Sequence, residues 1–222
     1  MTTSLKIDFV SDVSCPWCII GLKALEQAIE RVGADIKVNL HFQPFELNPA
    51  MGPQGQEITE HITEKYGISP AQADANRENI RKRGADVGFK FAMADEPGGG
   101  RSRIYNTFDA HRLLHWAQTQ GPGLQKALKE ALFKAYFTDG QSPALHDVLV
   151  RTAIKAGLDG AKARDVLQAG DYADDVRERE QFYLSQGISS VPAVIINDRH
   201  LISGGQPVEM FEQALRQIAA GA

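Results

Sequence analysis

The residues of this chain best suited to chemistry are its only two cysteines, Cys15 and Cys18, which enclose Pro16 and Trp17. Cysteines this close in sequence cannot hold distant parts of a fold together, so redox chemistry explains them better than stabilisation. Disulfide exchange needs one thiolate that attacks and a second thiol that resolves the mixed disulfide, and this spacing supplies both. We therefore predict a redox-active cysteine pair that requires no separate cofactor.

A metal site is a weaker interpretation of the same cysteines. A structural zinc site would need two further Cys or His ligands with their own local spacing, and the six histidines offer no such pair. His111 and His115 lie four residues apart on a predicted helix, but no acidic third ligand is adjacent. We predict no metal.

The segments around the cysteines indicate how the pair is held. Residues 5–10 alternate apolar and polar side chains and predict a strand, residues 19–32 have the apolar spacing of an amphipathic helix, and residues 36–42 predict a second strand. A strand, a helix and a strand in this order form a βαβ unit, in which the two strands are parallel. Cys15 then lies at the helix N-terminus, where free backbone N–H groups and the helix dipole favour a thiolate. We assign Cys15 as the nucleophile and Cys18, one turn later, as the resolving thiol.

The remainder of the chain predicts a helical block and then a return to the sheet. Ser69-Pro70 and Ser142-Pro143 each pair a capping serine with a proline, which predicts two helix starts, and Asn106-Thr107 predicts another. Residues 193–203 read as a hairpin, followed by a helix opened by Pro207.

The order β-α-β, helices, β-β-α predicts an α/β protein with a thioredoxin fold and a large all-helical insertion. The predicted boundaries place residues 1–50 and 187–222 in the thioredoxin-like domain. Residues 51–186 form the inserted helical domain.

The proline before the third strand is a second candidate feature. Pro192 could simply mark the edge of a strand. Alternatively, a cis Val191–Pro192 bond would turn the chain beside the dithiol and leave the Val191 backbone free to pair with an extended substrate. The fold context favours the second interpretation. We expect Pro16, Trp17, Val191 and Pro192 to contact substrate, with the Trp17 ring partly exposed.

Asp12 lies three residues before Cys15, at the end of the first strand. It could relay a proton to the resolving thiol, or it could cap the turn. The turn role is favoured, because aspartate is common in turns, where it bonds nearby backbone groups.

The sequence resembles the DsbA-like thioredoxin superfamily and, within it, the FrnE-like subfamily. The segments that carry the resemblance are Asp12, residues 15–21, residues 44–49, residues 106–112 and Val191-Pro192. The resemblance spans nearly the whole chain. It implies the same fold with its insertion, disulfide exchange at the two cysteines and a cis-proline loop at Pro192. Relatives with an additional cysteine pair differ from this chain, which has none, so a second dithiol is excluded.

Two other functions remain open. The 2-hydroxychromene-2-carboxylate isomerases and kappa-class glutathione transferases share the fold, and their resemblance suggests a single serine or thiol that positions glutathione. Cys18 favours dithiol exchange instead, with protein or glutathione as the thiol or disulfide substrate. The second alternative is a chaperone-like module that binds without exchange.

Composition limits the remaining partners. A formal net charge of −4 argues against nucleic acid, and no apolar run approaches the ~20 residues that cross a bilayer. The N-terminus lacks a secretory signal pattern, so we expect a cytoplasmic protein. The Gly98–Arg103 segment combines glycines and arginines, but it lacks a phosphate-loop spacing, so we expect a surface loop there. Nothing in the sequence indicates an oligomeric state.

Overall fold

A computed structural model describes residues 3–92 and 102–221 of the chain. The strands are β1 (Thr3–Ser11), β2 (Ile36–Pro44), β3 (Gln56–Glu57), β4 (Arg103–Ile104), β5 (Ala193–Ile196) and β6 (His200–Ser203). The helices are α1 (Pro16–Val32), α2 (Ile58–Tyr66), α3 (Pro70–Asp86), α4 (Phe108–Gln120), α5 (Leu124–Phe137), α6 (His146–Lys155), α7 (Gly160–Ala169), α8 (Ala173–Ser185) and α9 (Val208–Ala220).

The main sheet has the strand order β2-β1-β5-β6. β1 pairs parallel with β2 and antiparallel with β5, and β5 pairs antiparallel with β6. β1 therefore has a neighbour on each side, and its side chains from Ile7 to Ser11 are all buried. A strand that is buried on both faces has apolar residues at consecutive positions, as Phe9 and Val10 of β1 show. The predicted thioredoxin fold with a helical insertion is confirmed.

Helices cover the main sheet on both faces. α1 and α9 pack against one face, where Leu22 and Leu25 share a core with Phe211 and Leu215. On the other face, Tyr183 of α8 packs against the sheet in a smaller cluster. The end of β1 and the start of α1 therefore meet inside the protein, between the layers.

The insertion has its own helical core, which joins α4, α5, α6 and α7. Some of its helices begin with a side-chain cap: Ser69 forms a capping box with Gln72, and Asp159 accepts hydrogen bonds from two backbone N–H groups of α7. The insertion also contains a two-residue strand pair, β3 with β4. The predicted domain limits at 50/51 and 186/187 stay a prediction.

One predicted helix start is wrong. Ser142-Pro143 does not open α6, which begins three residues later, at His146. The Ser142 hydroxyl instead accepts a hydrogen bond from the Ala144 N–H, so the serine closes a turn. Serine followed by proline suits a turn as well as a helix start, and local sequence does not separate the two.

α5 connects the insertion to the main sheet. The Gln125 side chain accepts a hydrogen bond from the Phe42 N–H at 3.0 Å and donates one to the Phe42 carbonyl at 3.0 Å. These bonds satisfy the backbone of Phe42 on the outer edge of β2, which is an edge strand of the sheet that the described residues form. Phe133 and Tyr136, further along α5, enter the core formed by β1 and α1. No helix within the described residues is long and apolar enough to span a membrane.

Candidate active site

The two cysteines lie at the beginning of α1. Cys15 is the residue that precedes the first helical turn, and Pro16 occupies the first helical position, where a missing N–H costs nothing. The Cys15 N–H donates to the Asp12 carbonyl at 3.2 Å, and the Cys18 N–H donates to the Cys15 carbonyl at 3.1 Å. Both thiols are free in this structure. Cys15 is 3% exposed and Cys18 is fully buried, so Cys15 is the thiol nearer the surface.

The segment before β5 lies against the Cys15 thiol. The Val191–Pro192 peptide bond is cis, which is the isomer that the sequence analysis predicts. The Cys15 Sγ donates a hydrogen bond to the Val191 carbonyl at 3.6 Å, across 176 residues of sequence. Pro192 is buried, and Val191 is half-buried. The structure thus brings Cys15, Val191 and Pro192 together.

Gly21 allows this close approach. A Cβ atom at this position would lie 3.1 Å from Pro192 Cγ and 3.2 Å from Gly205 Cα. A larger side chain would push α1 away from the proline loop, since neither neighbour is the free end of a flexible side chain. Trp17 completes the surface here: it is half-buried, and its ring lies beside Gly205.

Asp12 organises the turn that leads into α1. Its Oδ1 accepts a hydrogen bond from the Ser14 N–H at 3.1 Å, and its Oδ2 accepts one from the Leu47 N–H at 2.7 Å. Burial raises the pKa of Asp12, but His111 and these two N–H donors together lower it by more. The pKa therefore lies below its usual value. Asp12 is therefore a fully buried carboxylate at neutral pH. These contacts fit the turn role.

His111 of α4 approaches the same carboxylate. Its Nε2 lies 3.7 Å from Asp12 Oδ1, beyond hydrogen-bond distance but close enough for electrostatic attraction. His111 is 2% exposed and His115 is half-buried. Among the described residues, no group of three His, Cys, Asp or Glu side chains could hold a metal ion.

Lys129 is a buried residue near the dithiol that sequence reasoning missed. It belongs to α5 and is fully buried, with its Nζ 3.5 Å from the Ser11 carbonyl and 5.1 Å from the centre of the Phe133 ring. Burial lowers the pKa of Lys129 to about 8, although the negative charges of Cys18, Asp12 and Cys15 act in the opposite direction. The sequence held one indication of this position. Lys129 is four residues from both Gln125 and Phe133, which places all three on one helix face.

The ionisation of Cys18 depends on its neighbours. Burial raises the pKa of Cys18 well above its usual value, and the hydrogen bond and negative charge of Cys15 raise it further. The charge of Lys129 and a backbone hydrogen bond at Asp12 lower it. Loss of the negative charge at Cys15 would therefore make the Cys18 thiolate easier to form.

A second lysine approaches the site from α2. The Lys65 ammonium donates hydrogen bonds to the Leu47 carbonyl at 2.8 Å and to Asn48 Oδ1 at 2.7 Å. Burial lowers the pKa of Lys65, while the charges of Asp12 and Cys15 raise it. Nothing in the local sequence marks this residue. Leu47 thus connects the turn at Asp12 to α2, since its N–H binds Asp12 and its carbonyl binds Lys65.

The turn before α4 is anchored to the same loop. Asn106 Oδ1 accepts a hydrogen bond from the Phe108 N–H at 2.9 Å, and its Nδ2 donates to Glu46 Oε2 at 3.2 Å. The helix starts where the sequence predicts: Thr107 directly precedes α4 without a side-chain capping bond, and Asn106, one residue earlier, binds the first N–H of the helix. The Gly98–Arg101 part of the glycine-rich segment lies outside the described residues. Arg103 donates hydrogen bonds to the Gln54 and Gly55 carbonyls, so its guanidinium binds backbone.

Taken together, the parallel βαβ unit, the dithiol at its helix N-terminus and the adjoining cis-proline loop define a thioredoxin-class dithiol protein. Residues 6–216 match the family model described as DSBA-like thioredoxin domain. The chain belongs to this family.

Known proteins resemble the chain over nearly its full length. A probable DsbA oxidoreductase from Streptomyces coelicolor, SCO1869, is 34% identical with a TM-score of 0.84, over 98% of this chain and 90% of that one. YwbO from Bacillus subtilis (strain 168), an uncharacterized protein, is 29% identical over 216 residues, which are 97% of this chain and 96% of YwbO. The cytosolic disulfide reductase DsbM from Pseudomonas aeruginosa shares the fold at 17% identity, with a TM-score of 0.65 over 98% of this chain and all of DsbM.

Proposed function

We propose that this protein is a thiol–disulfide oxidoreductase that exchanges disulfides with protein or small-thiol substrates through Cys15 and Cys18. One observation carries the proposal. The Cys15 thiol, at the N-terminus of α1, contacts the Val191 carbonyl of the cis-proline loop, and a second thiol is buried one turn behind it. A nucleophile and a resolving thiol are the two groups that disulfide exchange requires.

The proposed reaction has two steps. The Cys15 thiolate attacks a substrate disulfide, the substrate S–S bond breaks, and one substrate sulfur leaves with the electron pair and takes up a proton. Cys18 then loses its proton and attacks Cys15 Sγ, which releases the second substrate sulfur and forms the Cys15–Cys18 disulfide. The substrate gains two electrons and the dithiol loses two. A reductant must restore the dithiol, and glutathione or another cellular thiol is the proposed source.

Four residues are proposed to contact the substrate. Pro16 and Trp17 lie beside Cys15 and are half-buried, which leaves part of each available for apolar contact. Val191 and Pro192 form the opposite wall, where the Val191 backbone is proposed to pair with an extended peptide. Gly21 lets α1 approach Pro192 closely, which keeps Pro16 and Trp17 near the proline loop.

Glutathione is the proposed small-thiol substrate. Structures of DsbM, with which this chain shares the fold, include one with GSH. The Lys65 ammonium near Cys15 supplies a positive charge that would attract the anionic tripeptide. We further propose a cytoplasmic location and a reductive direction, because a reducing compartment keeps the dithiol as the resting form.

Insulin reduction by dithiothreitol, followed by turbidity, tests the main proposal. The wild-type protein should accelerate precipitation over dithiothreitol alone, and Cys15→Ser should abolish the acceleration because it removes the nucleophile. Cys18→Ser is the matched control: it keeps the nucleophile, so with insulin and no dithiothreitol it should form mixed disulfides with substrate that non-reducing gels resolve. Equal activity in Cys15→Ser and wild-type protein would show that the effect is binding without exchange.

The same variants test the glutathione-dependent alternative. An isomerase or transferase that uses one thiol to position glutathione would keep its activity in Cys18→Ser protein. We expect no such activity in the wild type or in this variant. Glutathione-dependent isomerisation or transfer that survives in Cys18→Ser would replace the dithiol mechanism.

A further inference from the structure

The buried position of the Lys129 ammonium is not explained by the contacts that stabilise its charge. The side chain is fully buried, and the only hydrogen bond of its ammonium within residues 3–92 and 102–221 is a long one, 3.5 Å, to the Ser11 carbonyl. The Phe133 ring at 5.1 Å adds a weak cation–π contact. Burying a cation with so little compensation is costly, so a compensating negative charge or a function is expected nearby.

The titratable groups around the ammonium come from three places. Cys18 belongs to α1, Cys15 directly precedes that helix, Asp12 lies in the turn before it, and His111 belongs to α4. The negative charges of Cys18, Asp12 and Cys15 raise the pKa of Lys129, and Cys18 contributes most. His111 acts on the same group through Asp12, since its Nε2 lies 3.7 Å from Asp12 Oδ1.

Asp12 already has other partners. Its carboxylate accepts hydrogen bonds from the Ser14 and Leu47 N–H groups, and His111 lies beside it. No hydrogen bond joins it to Lys129 in the described part of the chain. The charge of Lys129 is therefore available to the two buried thiols, of which Cys18 has the larger effect on the Lys129 pKa.

Building on the proposed exchange reaction, we propose that Lys129 is the buried positive charge that stabilises the Cys18 thiolate while Cys18 resolves the mixed disulfide. In that step Cys18 loses its proton and its sulfur attacks Cys15 Sγ. The Cys15–substrate bond breaks, and the substrate sulfur leaves with the electron pair and takes up a proton. Lys129 keeps its own protons and acts through its charge. It is a positioning residue supplied by the insertion, because α5 carries it to the end of β1.

Ellman's reagent separates the two steps without knowledge of the natural substrate. Attack by Cys15 releases one equivalent of thionitrobenzoate and leaves a mixed disulfide on the protein. Attack by Cys18 on that mixed disulfide releases the second equivalent. Stopped-flow absorbance over a series of pH values gives the rate of each release in wild-type protein and in variants.

Lys129→Met removes the charge and keeps a long unbranched side chain in the same apolar space. Replacement of a buried ion by an apolar group of similar size is often neutral or stabilising, so the variant should fold. The second release should slow by about tenfold or more near pH 7, since each unit of pKa changes the thiolate fraction about tenfold. The difference from wild type should shrink as pH rises, because Cys18 then ionises without help. The first release should change much less.

Two further variants make the test specific. Lys126→Met removes a half-exposed ammonium from the same helix, 2.8 Å from Glu26, and should leave both rates unchanged. Lys129→Gln removes the charge but keeps a polar group, and it should reproduce the effect of Lys129→Met. Circular dichroism and thermal unfolding check that each variant is folded.

The outcomes separate this inference from the function on which it rests. A wild-type rate and pH profile for the second release in both Lys129 variants would overturn the role of Lys129 and leave disulfide exchange intact. Equal slowing of both releases at every pH would also overturn it, because that result indicates a general disturbance of the site. A wild-type protein that never releases the second equivalent would overturn the exchange function itself.

Discussion

Replacing Asp12 by asparagine tests how much the site depends on one buried carboxylate. Asp12 is 1% exposed, and each of its oxygens accepts a backbone N–H bond, from Ser14 at 3.1 Å and from Leu47 at 2.7 Å. Asparagine has one oxygen and one NH₂ group, so one of the two N–H groups would face a donor. The shorter bond, to Leu47, ties the loop after β2 to the turn that carries the cysteines.

The magnitude follows from these contacts. Loss of a charge-assisted hydrogen bond with a buried donor left unpaired costs about 1.5–3 kcal/mol. For a chain of this length that corresponds to a fall in Tm of roughly 3–12 °C, at about 2–4 °C for each kcal/mol. Urea unfolding at neutral pH, followed by circular dichroism, measures the free energy directly. The matched control is Asp198→Asn, where the side chain is 67% exposed and pairs with Lys6, and the expected change is less than about 1 kcal/mol.

The pH dependence gives a second readout. The pKa of Asp12 is lower in the folded protein than its ordinary value near 3.8, so the folded state holds this proton less tightly than the unfolded chain. The corresponding stability is fully present above the unfolded value and is lost as pH falls through the lower, folded value. Asp12→Asn should therefore lose stability less steeply than wild type in this acid range. A variant as stable as wild type at neutral pH, with an unchanged acid slope, would refute the reasoning about Asp12.

Two further substitutions test packing around the site. Gly21→Val places a branched side chain where a Cβ alone would lie 3.1 Å from Pro192 Cγ. We expect overpacking to lower the free energy of unfolding by about 1–3 kcal/mol and to slow insulin reduction. Unchanged values in urea unfolding and in turbidity would show that the proline loop can move. Gln125→Leu removes both hydrogen bonds to the Phe42 backbone and leaves two buried groups unpaired, which should cost about 2–4 kcal/mol in urea unfolding. Gln118→Leu, on the surface of α4, should have little effect, and an equal loss in the two variants would contradict the role of Gln125.

The site combines contributions from both parts of the fold. The βαβ unit supplies the two thiols and the acidic turn at Asp12, while the insertion supplies two cations, Lys65 from α2 and Lys129 from α5. Lys65 is exposed, whereas Lys129 is fully buried near the Cys18 thiol. The insertion is thus electrostatically part of the dithiol site, in addition to covering it.

Local patterns were sufficient for most of the elements. The apolar spacing after Cys18 predicts α1, Ser69-Pro70 predicts the start of α3, and the pattern of residues 193–203 predicts a hairpin. The structure contains all three. Ser142-Pro143 shows the limit of this approach. The same residue pair that opens α3 forms a turn before α6, because local geometry permits both and packing decides between them.

The sequence by itself determined the chemistry: two thiols three residues apart, placed by a strand and an amphipathic helix at a helix N-terminus. This follows because spacing and periodicity act over one or two turns of chain and need no distant partner. Only the tertiary structure decided which groups surround those thiols. Val191 reaches Cys15 across 176 residues, and Lys129 arrives from a helix in the insertion. Burial and charge at such contacts depend on three-dimensional packing, so the residues that set the ionisation of Cys18 cannot be read from its neighbours in sequence.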